Sequence, residues 1–131
     1  MKPQAAAFLE KSRELLERAD KILGVGLNED AGRTAYLAAF HAAQALIFEH
    51  RDRAVKPHKG VRTEFLRLTK NDARIDPELR AFLGRAYNLK AIADYETGPG
   101  SQVSEKSARE AIQTARRFVE CITTCIPPSG P

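Results

Sequence analysis

Few folds can accommodate the stretch AYLAAFHAAQALIF, Ala35–Phe48. Tyr36, Phe40, Ala43 and Ile47 recur at helical spacing on one face, flanked by Leu37, Gln44 and Phe48. The alanines around them favour helix and let a neighbouring helix come close. Elsewhere valine and isoleucine are scattered rather than alternating, so the period-two signature of a half-buried strand is missing. These patterns predict an all-α fold.

Five helices are expected. The first covers about 4–23, where Phe8, Leu15 and Ile22, and Leu9, Leu16 and Leu23, repeat every seven residues and build one broad apolar stripe. GVGLNED, Gly24–Asp30, stops it with two glycines and offers Asn28 as the next N-cap. The second covers about 29–51. A short third, about 59–69, turns Val61, Phe65 and Leu68 inward. The fourth begins with Asp76 as N-cap and Pro77 at the first helical position, runs to Asp94 or Tyr95, and is stopped by TGPG, Thr97–Gly100. The fifth starts at Ser104 and runs to about Cys125, with Ala108, Ala111, Ile112, Ala115, Phe118, Val119 and Ile122 on its stripe. Short connections make this an up-and-down antiparallel bundle of four long helices plus one short helix. One helical domain over 1–126, followed by a disordered tail over 127–131, accounts for the length.

Bulk properties exclude several classes. With 43% hydrophobic and 29% charged residues the chain has enough apolar surface to form a core. No apolar run approaches the roughly 20 residues of a membrane span. The N-terminus turns charged too early for a signal peptide, so the cytoplasm is the default location. Cys121 and Cys125 are too few for a zinc site and poorly placed for a disulfide within one helix, so they read as packing or surface thiols. No metal site and no cofactor are expected, and phosphate loops, zinc helices and nucleophile elbows are missing. The net charge of +4 is concentrated between His50 and Arg74, where a basic excess can attract phosphates.

The fourth helix carries an anomaly. At 100° per residue from Leu79, the apolar residues Phe82, Leu83, Ala86, Leu89 and Ala93 centre near about 340°, while Lys90 falls at about 20°, inside the arc, and Asp94 at about 60°, on its rim. A cation aimed at a buried face must reach water along its stem, pair with an anion, or line a cleft. On the second helix Arg33 falls on the apolar stripe and His41 at its edge. A lone edge histidine is more often structural than catalytic.

Two blocks resemble the small stand-alone HEPN-domain proteins. AYLAAFHAAQALIFEH, Ala35–His50, is similar to their helix of the form AYYAxFHAAxALL, and LKAIADYE, Leu89–Glu96, to their LRxxADY element. KPHKGV, Lys56–Val61, matches the loop between these elements, and Val103–Ser104 fits the start of the last helix. The resemblance covers about residues 5–126. It implies a homodimeric helical bundle whose two copies share one cleft. Many of these proteins are metal-independent ribonucleases using an Arg-x4–6-His motif, and others form toxin–antitoxin pairs with a small nucleotidyltransferase. In some of those pairs the partner adenylylates a tyrosine.

Carried over by position, Lys90 stands at the motif arginine, Asp94 and Tyr95 at the DY pair, His41 in the FHAA block and His58 in the loop. The resemblance thus assigns Lys90, Asp94, Tyr95 and His41 to chemistry. Lys56, His58, Lys59 and Arg62 fall to RNA or nucleotide binding. The chain departs from the motif in having lysine for arginine and no histidine four to six residues later. Two functions stay open. One is a toxin–antitoxin or nucleotidyltransferase-linked protein that binds nucleotide or RNA in a dimer cleft, with metal-independent ribonuclease activity open to it. The other is a non-catalytic module binding nucleotide or protein, down to a plain dimerisation domain.

Overall fold

The computed structural model describes residues 1–98 and 102–128. Among them lie five helices and no strand: α1 (Pro3–Gly24), α2 (Asn28–Arg51), α3 (His58–Leu68), α4 (Pro77–Tyr95) and α5 (Glu105–Cys125). The alanine-rich α2 is the axis of the bundle and packs against all four others. Ala31, Ala35, Ala38, Ala39, Ala42, Ala43 and Ala45 are all fully buried. A helix walled by methyl groups on every side can be surrounded, and this one is.

Contacts at the helix ends give the directions. Lys2 at the start of α1 donates its backbone N–H to Glu49 near the end of α2. Arg33 at the start of α2 meets Asp94 at the end of α4. Arg117, late in α5, reaches Asp76 and Glu78 at the start of α4. α1 and α4 therefore run one way and α2 and α5 the other, as an up-and-down bundle requires. α3 is inserted in the α2–α4 connection and roots itself through Phe65, whose ring lies 5.2 Å from that of Phe118 on α5.

The helix boundaries follow local chemistry. Asp76 caps α4, its carboxylate accepting from the Leu79 N–H at 2.8 Å. Ser104 caps α5 through the Ser107 N–H at 3.0 Å. The α1–α2 turn closes at Gly26, whose φ of 82° is open to glycine at little cost, and Leu27 N–H returns to the Ile22 carbonyl. Asn28 does not act as the N-cap. It is already the first helical residue, Leu27 holds the cap position, and no side chain caps the end. The turn after Gly26 is one residue shorter than the asparagine signal implied. α3 likewise starts at His58, one residue earlier than expected, which puts that histidine on the helix.

At the C-terminal end, Ile126 is buried, so the core extends to that residue. The expected tail is described only at Pro127 and Pro128, and its residues 129–131 lie outside the described residues, as do 99–100 of the TGPG stop. No helix is long and apolar enough to cross a membrane among the described residues. Cys121 donates its thiol to the Arg74 carbonyl and Cys125 is buried, both as free thiols.

Candidate functional site

Along the seam between α2 and α4, residues of matching rank face each other. Because the helices are antiparallel, Arg33 meets Asp94, Tyr36 meets Tyr87, and Phe40 and Leu83 line one recess further along. Gly32 on α2 faces Leu89 on α4, whose methyl groups lie 3.4 Å from where a Cβ would stand, ordinary van der Waals contact.

At one end of the seam is an ionic cluster. Lys90 is buried, with 9% of its surface exposed. Its ammonium donates to Asp94 Oδ2 at 2.8 Å, and Arg33 Nε donates to Asp94 Oδ1 at 2.7 Å. Lys90 also lies 5.1 Å from the centre of the Tyr95 ring, within cation–π range. The hydrogen bond to Asp94 raises the Lys90 pKa against the opposing effect of burial. The same bond, helped by Arg33, lowers that of Asp94. Two cations share one carboxylate, so the cluster keeps a net positive charge.

In the middle of the seam His58, the first residue of α3, enters. His58 sits among the rings of Phe40, Tyr36 and Tyr87, at centroid distances of 4.5, 5.6 and 5.6 Å. Its Nδ1 lies 2.8 Å from the Tyr36 hydroxyl. Burial lowers its pKa, the charges of Lys90, His41 and Arg33 lower it further, and Asp94 opposes them. His58 is thus a neutral imidazole held within the field of the Lys90–Asp94–Arg33 cluster. Burial and the neighbouring Tyr87 push the Tyr36 phenol far above its ordinary range, so it stays protonated. A phenol can donate or accept, so either tautomer of His58 satisfies the bond. One leaves Nε2 as a proton acceptor and the other as a donor.

Lys59 and Arg62 join Tyr36, Phe40, His58, Leu83 and Tyr87 around a cavity of about 110 Å³. His41 lies toward α1, stacked 6.2 Å from Phe8. Its Nδ1 donates to Gln44 Oε1 at 2.7 Å, and Gln44 in turn donates to the Val55 carbonyl at 2.8 Å. A carbonyl oxygen can only accept, so this chain fixes the neutral His41 with its proton on Nδ1. His41 and Arg33 also line a groove of about 400 Å³ between α1 and α2, together with Lys11 and Arg18.

Of the residues chosen from sequence, Lys90, Asp94, Tyr95 and His58 gather on one face, with Lys59 and Arg62 beside them. His41 is held across α2 by Gln44, and Lys56 stays exposed in the loop before α3 without lining the cavity. Sequence reasoning left out Arg33, Tyr36 and Tyr87 from the site. Arg33 had a visible signal, a cation on an apolar stripe; Tyr36 read as part of the apolar face of α2, and nothing singled out Tyr87. A larger groove of about 610 Å³ lies between α4 and α5, with Glu78, Arg85, Glu110 and Arg117 on its walls. None of the residues selected from sequence lines it.

The family model for the HEPN domain matches residues 5–125, nearly the whole of this bundle. The chain belongs to the HEPN-domain family. It is 30% identical over 122 residues to a Methanocaldococcus jannaschii protein named "Putative toxin MJ0605", spanning 93% of this chain and 88% of that one. A UPF0332 protein of Archaeoglobus fulgidus is 30% identical over 112 residues, 86% of each chain. The crystal structure of TT1696 from Thermus thermophilus superposes with a TM-score of 0.78 at 21% identity, covering 94% of this chain and 98% of that one. At that identity the likeness establishes the shared fold alone.

Proposed function

We propose that this chain is a toxin-type HEPN protein that acts on RNA at the α2–α3–α4 face. The carrying observation is that His58 packs on Tyr36 and Tyr87 of the α2–α4 seam within electrostatic reach of the Lys90–Asp94–Arg33 cluster. Four residues from three helices converge although the Arg-x4–6-His spacing is lost. In this reading His58 takes over the proton chemistry that the missing motif histidine would have supplied. His58 Nε2 accepts the proton of a ribose 2′-hydroxyl. The freed oxygen forms a bond to the adjacent phosphorus, the bond from phosphorus to the 5′-oxygen breaks, and the leaving oxygen takes a proton from solvent. Lys90 and Arg33 offset the charge that builds on the phosphorane oxygens. The name of the M. jannaschii relative supports the toxin assignment.

The reading includes a homodimer whose copies share the site and a nucleotidyltransferase-type partner, both carried by the family resemblance. Tyr95 is 72% exposed beside Lys90, accessible to such a partner. A second reading, binding of RNA or nucleotide without cleavage, is favoured by one feature: Asp94 already engages both cations.

Expression in a bacterial host distinguishes the two. Cleavage predicts growth arrest with RNA fragmentation, abolished in Lys90→Ala and in His58→Ala. Intact RNA with RNA binding retained by the purified protein establishes the second reading. Arrest undiminished in both variants removes this face from the mechanism.

A further inference from the structure

The cavity between Tyr36, Phe40, His58, Leu83 and Tyr87 is used above only at its histidine edge. Its walls are chiefly rings. Tyr36 and Phe40 are buried, and Tyr87 is half-buried and meets Tyr36 edge-on at 5.7 Å and 74°. Phenol and imidazole groups supply polar edges among the rings, and Lys59 and Arg62 add two cations. At about 110 Å³ the space is well below the roughly 300–1,000 Å³ that surrounds a drug-sized ligand. It has room for a single planar group and none for a whole dinucleotide.

An aromatic recess with a few hydrogen-bonding edges and cations at hand is what a stacked base with its phosphate requires. An aliphatic ligand would leave the cations without a role, and a free anion would leave the rings without one. Position agrees with this. Tyr87 and Lys90 are three residues apart on one side of α4, about 4.5 Å along the helix axis, a span that one sugar can bridge. A phosphate at Lys90 would thus present its own nucleoside to the ring of Tyr87. Bases inside a duplex are stacked and paired and cannot enter such a recess.

We infer that this cavity is a base subsite that holds one unpaired nucleobase against the ring of Tyr87, next to a phosphate at the Lys90 cluster. The inference rests on the RNA reading above and adds a base subsite to the same site.

The test is fluorescence anisotropy with a labelled 12-mer oligouridylate and with the same strand annealed to its complement, for the wild type, Tyr87→Ala, Tyr87→Leu and Tyr87→Phe. Tyr87→Leu keeps apolar volume at the wall, and circular dichroism melts establish which variants are folded. The expected result is tighter wild-type binding of the single strand than of the duplex. Tyr87→Leu and Tyr87→Ala then lose about fivefold or more on the single strand, the lower range for one base–aromatic stack. Tyr87→Phe, which keeps the ring, stays within about twofold on the same ground.

Equal wild-type affinity for both RNAs overturns the base pocket and leaves the phosphate reading in place. Unchanged single-strand binding in Tyr87→Leu does the same. Wild-type protein that binds neither RNA overturns the RNA reading, and the base pocket falls with it.

Discussion

Arg33 and Asp94, 61 positions apart in the chain, are joined by a 2.7 Å hydrogen bond, and the other oxygen of the same carboxylate holds Lys90. The carboxylate side chain is 24% exposed and that of Lys90 11%. This lies between a surface pair, worth about 0–1 kcal/mol, and a buried one, whose breaking costs about 3–5 kcal/mol. Asp94→Ala strands two cations against each other and is expected to cost about 1–3 kcal/mol. Lys90→Met removes the charge that needs a partner, keeps most of the volume and leaves Arg33 with Asp94, so its cost is smaller. Urea denaturation of both variants checks the order. A larger loss for Lys90→Met would mean that the lysine, not the carboxylate, organises the cluster.

Stability should depend on pH from both sides. His58 and His41 have folded-state pKa values below the ordinary 6.5, so the unfolded chain takes up protons first as pH falls. Their contribution is complete above about 6.5 and is lost as pH drops through the folded values. His58 feels Lys90, Arg33 and His41 against Asp94, and replacing it with asparagine should flatten the melting temperature between pH 7 and pH 5. Lys90, raised above 10.5, adds stability that is complete below that pH and lost as pH climbs through its folded value. Asp94, lowered below 3.8, adds stability present above that pH and lost on acidification through its folded value. A melting temperature independent of pH between 5 and 7 in the wild type would contradict the burial of both histidines.

The cap of α4 offers a test away from the site. Asp76→Ala leaves the Leu79 N–H without its acceptor and releases Arg117 from one of its two acidic partners. The expected loss is about 1 kcal/mol, mostly from the cap, because the ion pair is exposed. Asp76→Asn retains an acceptor and should recover most of it in thermal melts. Failure of the asparagine to recover stability would shift the weight to the Arg117 pair.

Salt dependence should sort the cations. A cation that neutralises one RNA phosphate contributes about 0.7 to the slope of log affinity against log salt on single strands. Lys90→Ala and Lys59→Ala are each expected to reduce the slope by about that amount. Lys56→Ala, in the loop outside the cavity wall, should change it less. Titrations at several salt concentrations give the slopes directly, and a dominant effect of Lys56 would move the phosphate path away from α4.

Periodicity made the bundle legible because the outer long helices each bury one stripe, unambiguous in α1 and α5, while the surrounded α2 shows itself by its run of alanines. Lys90 stood out for the same reason: a charge inside an apolar arc contradicts its neighbours. Its pairing with Asp94 was one of three outcomes that the spacing within the helix allowed. Arg33 was legible only as an oddity, because its partner comes from a helix far along the chain and periodicity carries no information about which helices adjoin. Tyr36 and Tyr87 gave no signal, since a half-buried ring over a core and a ring over a cavity share one pattern. The Asn28 cap misled because the backbone turn at Gly26 closes the connection one residue early, and turn geometry prevailed over side-chain preference.

Gly32 neighbours Arg33, and the Leu89 it faces neighbours Lys90. The gap across which the arginine reaches its carboxylate is therefore gauged by the one position on α2 with no side chain at all. A Cβ alone would sit there in ordinary van der Waals contact with Leu89 at 3.4 Å, so it takes a side chain larger than alanine to press the two helices apart and lengthen the ionic bridge while leaving every charged group in place. Members of such a lineage can retune how firmly the cations are sequestered, and so how readily they turn to a passing phosphate, through a residue that is neither charged nor in contact with any ligand.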